Sequence, residues 1–340
     1  MKIAIHHRKN SYSERWIEFC KERDISYKIV NAYDTDIISQ VSDCDAFMWH
    51  HDHGNYKDKI FAKELLTSLQ QSGKIVFPNI RTGWHFDDKL GQKYLFEAHG
   101  IRMARTWAFF DAKSAKEWIA KTSFPKIYKK RSGAGASSVY LVANKAQAER
   151  LVKSTFDISV VDSPEFWLRK GREGLRYRVK STLRRFFPKL DRHSLLPHNR
   201  GYIYFQEYIP NDGFDYRLEI VGDKCIAVLR YNRKNDFRAS GGHDNHFDKD
   251  LFPKDLFEYG FYIHKTLGLQ SSALDIVQHK ETGEYFLIEI SYCYGVDTDE
   301  YDHGYWTADG ILHEEPFNGQ DWMIEQVIKD IEKQKSLPDM

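Results

Sequence analysis

The chain has 340 residues, 41% of them hydrophobic and 15% aromatic, with a formal net charge of +1. That composition excludes a disordered chain, and the near-neutral balance excludes bulk attraction to nucleic acid or membrane, so any such affinity must come from a local patch. At the usual ~100 to 200 residues per domain, the length allows two or three packed units.

From Met1 to about Asn79, strand and helix signals alternate. KIAIH reads as a strand, SERWIEFCKER as an amphipathic helix, SYKIV as a strand, Ile37 to Val41 as a short helix, DAFMWH as a strand, Lys57 to Gln71 as a helix and KIVFPN as a strand. Such alternation predicts a small α/β domain over residues 1–80 with a mostly parallel sheet. Asp87 to Ala98 reads as a helix ended by Gly100, and the segments that follow are a TWAFF strand, a helix over Ala112 to Lys121, a KIYKK strand, a glycine-rich loop, a VYLV strand and a helix over Lys145 to Val152. Residues 154–200 read as a basic insertion that completes a segment over 81–205; between Arg169 and His193, ten Lys and Arg face two acids. Strand signals resume with YIYFQEYI and continue through a segment over 206–340 with RLEIV, KCIAVLRY, a helix over Leu256 to Leu267, ALDIVQ, YFLIEIS and a final helix near Trp322 to Lys333.

The four cysteines, Cys20, Cys44, Cys225 and Cys293, are scattered without a CxxC pair. This predicts reduced thiols and a cytoplasmic location rather than a disulfide framework or structural zinc. MKIAIHHRKN is a short strand followed by polar residues, not a leader, and no apolar run approaches the ~20 residues that span a bilayer.

The most informative stretch is PKIYKKRSGAGASSV, residues 125–139. A short strand delivers Lys129 into a loop with Ser132, Gly133, Gly135, Ser137 and Ser138, where small residues let backbone N–H groups close over phosphate oxygens and a lysine supplies a point charge. A plain hairpin turn explains the loop equally well when it stands alone. Gly-Lys-Ser/Thr is missing and a strand follows, so this is neither a P-loop nor a dinucleotide fingerprint.

Asp88-Lys89 opening a helix, the strand Lys129 with its glycine loop, QEYI at 206–209, DYR at 215–217, NDFR at 235–238, and an acid on each of the last two strands, Asp275 and Glu289, occur in one order. In that order they resemble the ATP-grasp superfamily, in particular its ribosomal-protein-glutamate-ligase-like branch, over roughly 79–295. The resemblance implies an α+β ATP-grasp fold, two α+β subdomains sandwiching ATP, preceded by a small Rossmann-like α/β domain. It implies ATP and Mg2+ as cofactors, with Lys89 and Lys129 reaching the phosphates, the loop residues Ser132, Gly133, Gly135 and Ser137 folding over them, and Gln206, Glu207, Tyr208 and Ile209 forming the hinge at the adenine. Asp215 matches a carboxylate at the nucleotide, with Arg217 as its partner. Arg230 and Arg238 match the arginines that face the γ-phosphate and a developing oxyanion. Asp275 and Glu289 would hold Mg2+, and both are embedded in apolar sequence, where a carboxylate is costly without a cation to face. Ser291 stands where the superfamily has Asn as third ligand, and Ser240 stands where the branch has Asn.

The activity implied is an ADP-forming carboxylate–amine ligase working through an acyl phosphate. The NDFRASG and EISY variants are similar to those of ATP-grasp proteins in bacterial surface-polysaccharide synthesis, which implies a sugar acid or amino acid as substrate. Two alternatives stay open: an ATP-grasp kinase acting on a sugar or cyclitol hydroxyl, and a nucleotide-binding regulator with a degenerate site. Expected partners are small-molecule carboxylate and amine substrates, including a lipid-linked or nucleotide-linked sugar, together with a homodimer partner and no nucleic acid.

Two features lie outside these motifs. His6-His7 and His50-His51-Asp52-His53 follow predicted strands, at the carboxyl ends where open α/β sheets bind ligands, so His7, His51 and His53 are candidate substrate contacts and His50, His51 and His53 a weaker transition-metal candidate. The 169–193 segment interleaves its basic residues with Leu175, Tyr177, Phe186 and Phe187, a pattern that suits contact with an anionic membrane face or a phosphate-rich carrier.

Overall fold

The expected strands of the first eighty residues form one parallel sheet in the order β2-β1-β3-β4, with β1 Lys2–His6, β2 Ser26–Val30, β3 Ala46–Met48 and β4 Ile75–Phe77. A parallel sheet is covered on both faces, which is why its central strands read as apolar runs. Ile3, Ile5, Ala46 and Met48 face α1 (Ser13–Glu22) and a larger core, while Ala4 and Phe47 face α2 (Ile37–Gln40) and α3 (Tyr56–Gln71). Asn55 caps α3 by accepting from Lys57 N, and Asn79 caps the short α4 (Ile80–Gly83) by accepting from Thr82 N.

The computed structural model describes residues 1–133, 138–156, 201–234, 236–239, 241–242, 244–295 and 298–336. They divide into two compact units: residues 1–86, 98–102 and 211–340 form the first, and residues 87–97 and 103–210 the second. The first eighty residues therefore share a core with the carboxyl-terminal segment. In that core Ile3, Trp16 and Phe77 meet Val221, Ala273, Tyr292 and Trp322.

The larger sheet of the first unit runs β13-β12-β9-β10-β14-β15 among the described residues, with β11 on β10, and its pairs are antiparallel. Its strands are β9 Phe214–Val221, β10 Lys224–Tyr231, β11 Asn245–His246, β12 Ser271–Gln278, β13 Tyr285–Ser291, β14 Tyr305–Thr307 and β15 Leu312–His313. The side chains of FDYRLEIV alternate: Tyr216, Leu218 and Ile220 point to one face, Asp215, Arg217 and Glu219 to the other. Helix α8 (Lys254–Leu267) covers the apolar face and ends at Gly268 with φ +62°. At Gly260 the helix lies so close that an added Cβ would sit 2.5 Å from Leu218 Cδ1. Helix α9 (Gly319–Ser336) packs on α1, tied by the two bonds of Arg15 to Asp321 at 2.5 and 2.7 Å.

In the second unit, β5 (Thr106–Phe109), β8 (Ile203–Glu207), β6 (Lys126–Lys129) and β7 (Val139–Val142) form an antiparallel sheet in that order, with α5 (Lys89–Ala98) leading into the unit. Tyr128, Phe205 and Ile203 pack under α6 (Ala112–Ile119) and α7 (Lys145–Phe156).

Some boundaries differ from expectation. β9 starts at Phe214 rather than Arg217 because Phe214, Asp215 and Tyr216 pair with Tyr231, Arg230 and Leu229. Helix α7 runs to Phe156 rather than Val152, so residues 154–156 are helical; the rest of the basic segment, with 169–193, lies outside the described residues. Among the described residues no helix is long and apolar enough to cross a membrane. The short α4, β11, β14 and β15 carry too few residues for a periodic signal.

Adding a side chain at Gly260 checks the helix-to-sheet distance. Gly260→Val is expected to destabilise the fold by about 1–3 kcal/mol in denaturant unfolding, the usual cost of overpacking, although Val is a better helix former than Gly.

Candidate functional site

In the first unit the polar face of the large sheet is built by register. Asp275 lies opposite Arg217 on one side and Glu289 on the other, Arg230 lies opposite Asp215, and Ser291 lies opposite Ala273. Directly opposed residues share a face, so Asp215, Arg217, Arg230, Asp275, Glu289 and Ser291 all project from the side away from α8.

Their charges interlock. Arg230 donates from Nε and Nη2 to the two oxygens of Asp215, both at 2.7 Å, and Nη2 is also 3.0 Å from Asp275 Oδ1. Arg217 donates to Asp275 Oδ1 at 2.9 Å and Oδ2 at 3.1 Å. The expected partnership of Asp215 with Arg217 is therefore corrected. These two are neighbours along one strand, and each instead meets the opposite charge across the ladder. Burial raises the pKa of Asp275, but the Arg217 and Arg230 charges outweigh it and hold the carboxyl well below the usual range. Asp215 is pushed up to about 6, chiefly by burial and further by Asp275, against the pull of Arg230. With Asp275 ionised between two arginines, the coupled set stays a salt-bridged ladder at neutral pH. Arg238, expected at the phosphate, grips Asp236 from Nε and Nη2 at 2.9 and 2.6 Å. Ser240 lies outside the described residues.

The donor set fits a hard cation. Glu289 stands beside Asp275 on the same face, and Ser291 Oγ donates its proton to Cys293 O at 2.6 Å, which leaves the hydroxyl lone pairs to face a ligand. Among the described residues no cluster of three or more His, Cys, Asp or Glu forms a cage, and Mg2+ needs none, because it is usually held by one or two carboxylates together with phosphates and water.

The histidines at the ends of β1 and β3 are mostly structural. His6 Nδ1 accepts from Ala32 N at 2.9 Å. His50 Nδ1 accepts from Tyr12 N at 3.2 Å, so its proton is on Nε2, which donates to Cys293 Sγ at 3.0 Å. Both nitrogens are occupied, which removes His50 from the transition-metal reading. His51 is buried between Phe86 and Tyr292 rather than lining an open crevice, correcting its assignment as a substrate contact. His7 is exposed, with Nδ1 3.2 Å from Ser13 Oγ, and His53 lies beside Asp52 at 3.5 Å. Arg8 reaches the same strand ends and donates from Nη1 to Asp52 Oδ2 at 3.0 Å, a contact the motifs did not signal.

In the second unit Lys89 and Lys129 are both buried. Lys89 Nζ donates to Gly133 O at 3.1 Å, and its backbone N donates to Arg131 O at 2.9 Å. Asp87, at φ +51°, accepts from Gly133 N at 2.6 Å, and Asp88 accepts from Arg131. The Asp87-Asp88-Lys89 turn thus pins the start of the glycine loop at Arg131, Ser132 and Gly133, while Gly135 and Ser137 lie outside the described residues. The sequence motifs signal Asp88 and Lys89 of this turn; the contacts of Asp87 and Arg131 are set by the fold.

Lys129, Ile127, Tyr204 and Gln206 share the sheet face opposite α6 and α7. Gln206 is buried there and its Nε2 has no hydrogen-bond partner among the described residues. Glu207 points the other way, accepting from Lys126 Nζ at 2.7 Å, while its backbone N donates to Arg105 O at 2.7 Å. Tyr208 and Ile209 continue the chain from this strand end.

Two outcomes test this electrostatic picture. Arg230→Leu leaves Asp215 buried without its bidentate partner and is expected to cost about 3–5 kcal/mol in denaturant unfolding. The second concerns His6, His50, His51 and His264, which burial lowers to about 4, 3, 3 and 4. Their unfolded forms, near pKa ~6.5, bind more protons, so their contribution is complete above pH ~6.5 and is lost as pH falls toward those values. Thermal unfolding at pH 5 should show a Tm well below that at pH 7, with net proton uptake on unfolding.

No protein-family model matches the chain, and no curated protein matches it in sequence. Solved structures do match. A RimK domain ATP-grasp protein from Sphaerobacter thermophilus is 14% identical, with 97% of this chain and 99% of that one covered at a TM-score of 0.57. D-alanine–D-alanine ligase from Bacillus anthracis, solved with ATP, is 12% identical over 98% and 99% at 0.54. The biotin carboxylase domain of 2-oxoglutarate carboxylase from Hydrogenobacter thermophilus, solved with MgADP and bicarbonate, is 14% identical over 96% and 69% at 0.57. Matching along nearly its whole length, the chain has the ATP-grasp fold, an α+β architecture.

Proposed function

We propose that the protein is an ATP- and Mg2+-dependent carboxylate–amine ligase. The observation that carries this reading is the register that sets Asp275, Glu289 and Ser291 beside Arg217 and Arg230 on one sheet face, in a chain whose fold is that of ATP-grasp proteins. Lys89 and Lys129 serve the phosphates, the 206–209 hinge and Gln206 the adenine, and Asp275, Glu289 and Ser291 the Mg2+. When bound, the cation neutralises charge on the β- and γ-phosphates.

The chemistry proceeds in two displacements. A substrate carboxylate oxygen attacks the γ-phosphorus, the bond to the bridging oxygen breaks and ADP leaves. An amine then attacks the acyl carbon, and the tetrahedral intermediate expels phosphate and loses a proton to form the amide. Arginine guanidinium groups suit both steps, because a fixed planar fork holds a phosphoryl group and then an oxyanion without reorganising. Arg238 carries this role best; Arg230 and Arg217 act from behind, by holding Asp215 and Asp275 in place. As substrates we propose a sugar acid or amino acid and a small amine of bacterial surface-glycan synthesis, supported by the NDFRASG and EISY variants. A natural functional division is an amino-terminal part over 1–80, a nucleotide part over 81–205 and a metal part over 206–340.

Release of ADP and phosphate should require acid and amine together, across a panel of uronic and amino acids. Glu289→Gln should abolish turnover, and Arg238→Ala should lower kcat by about two to three decades, the usual loss of one oxyanion donor. Labelled phosphate left on a hydroxyl acceptor would replace the ligase reading by a kinase.

A further inference from the structure

The segment just after Glu289 and Ser291 is held by the amino-terminal part of the chain. Tyr12 OH donates to Tyr294 O and accepts from Tyr294 N at 3.0 Å, so one hydroxyl clamps both backbone groups of one residue. The Tyr12 ring stacks on His50 at 3.6 Å between centroids, 1° from parallel. His50 in turn receives Tyr12 N and donates to Cys293 Sγ, while Tyr292 OH donates to His51 O at 2.6 Å. Three successive residues, 292 to 294, are thus each fixed by a group from residues 12 or 50–51. The carbonyl in the middle of this clamp, Cys293 O, is the one that takes the Ser291 proton. Holding that carbonyl fixes the rotamer of Ser291 and directs its lone pairs.

We propose that Tyr12 and His50 are positioning residues that aim the Ser291 oxygen as a ligand for the nucleotide-bound Mg2+. The proposal rests on the ligase reading for the identity of the cation and on the clamp geometry for the residues. Ser is shorter than an amide side chain and rotates freely, so a serine in this position needs an external group to orient it. The clamp supplies that group from residues 241 to 282 positions earlier in the chain.

The test is the MgCl2 concentration that half-saturates the ATP-induced rise in Tm, measured on the full chain. Tyr12→Phe keeps the ring and the stack but loses the hydroxyl; it should raise the half-saturating concentration about tenfold or more, the usual effect of removing an outer partner of a metal ligand. Ser291→Ala should do the same, and the double variant should match Ser291→Ala within about twofold, since the two act in series. If Tyr12→Phe does not fold, His50→Phe, which preserves stacking and removes both ring nitrogens, should give the same rise. An unchanged Mg2+ requirement in the folded variant, or effects that multiply in the double variant, overturns the proposal, because a lowered Tm alone is what a purely structural contact would give. ATP stabilisation of the wild type that ignores Mg2+ overturns this proposal and leaves nucleotide binding intact. A wild type indifferent to ATP overturns the ligase reading itself.

Discussion

The buried ladder Asp215–Arg230–Asp275–Arg217 is the constraint on which the polar face of the molecule depends. Four charges are withdrawn from water on three adjacent strands, and each is tolerated only because the next strand brings its opposite within 2.7 to 3.1 Å. Burying an ion without a partner costs several kcal/mol, whereas these fork-shaped pairs return most of that cost through bidentate geometry. Sheet register is what makes the pairing available. A one-residue slip of β9 against β10 or β12 would turn Asp215 and Arg217 onto α8 and put Tyr216 and Leu218 on the polar side. The apolar face guards against that slip, because Leu218 fits against Gly260 with no space to spare.

Within each unit the chain fixes individual segments by backbone and hydrogen-bond geometry. In the second unit the Asp87-Asp88-Lys89 turn anchors the first residues of the glycine loop, with Lys89 Nζ donating to Gly133 O. In the first unit the Tyr12–Tyr294 and His50–Cys293 contacts bind the amino-terminal sheet to the end of β13. The histidines there are kept neutral by burial, and each backbone donor at an Nδ1 leaves the proton on Nε2. Their chemistry is that of structural hydrogen-bonding groups, despite their place at the carboxyl ends of parallel strands, where ligands are commonly met.

Much of this was legible in the sequence. The alternation of strands and helices over 1–80 predicted the parallel sheet, and the order of lysine, glycine loop, QEYI, DYR and terminal acids predicted the fold that the solved structures share. The site was less legible in its pairings. DYR reads as an internal Asp–Arg pair, yet residues two apart on a strand stand side by side on one face, and the stronger partner is the one directly across. Nothing in HHDHG marks His51 as buried, and neither Arg8 in HHRKN nor Arg131 beside the glycine loop signals its carboxylate partner.

The sequence by itself determined the local periodicities, and through them the elements, the sheet faces and the types of residue offered to each face. Period-two alternation in FDYRLEIV requires that Asp, Arg and Glu leave on one side whatever the strand pairs with. Only the tertiary structure decided who meets whom: that Arg230 takes Asp215, that Arg217 takes Asp275, and that Tyr12 reaches Tyr294 across 282 positions of chain. Partnership across strands depends on register and on the packing of distant segments. Those follow from the summed burial of a whole core, of which no short stretch of sequence holds more than a part.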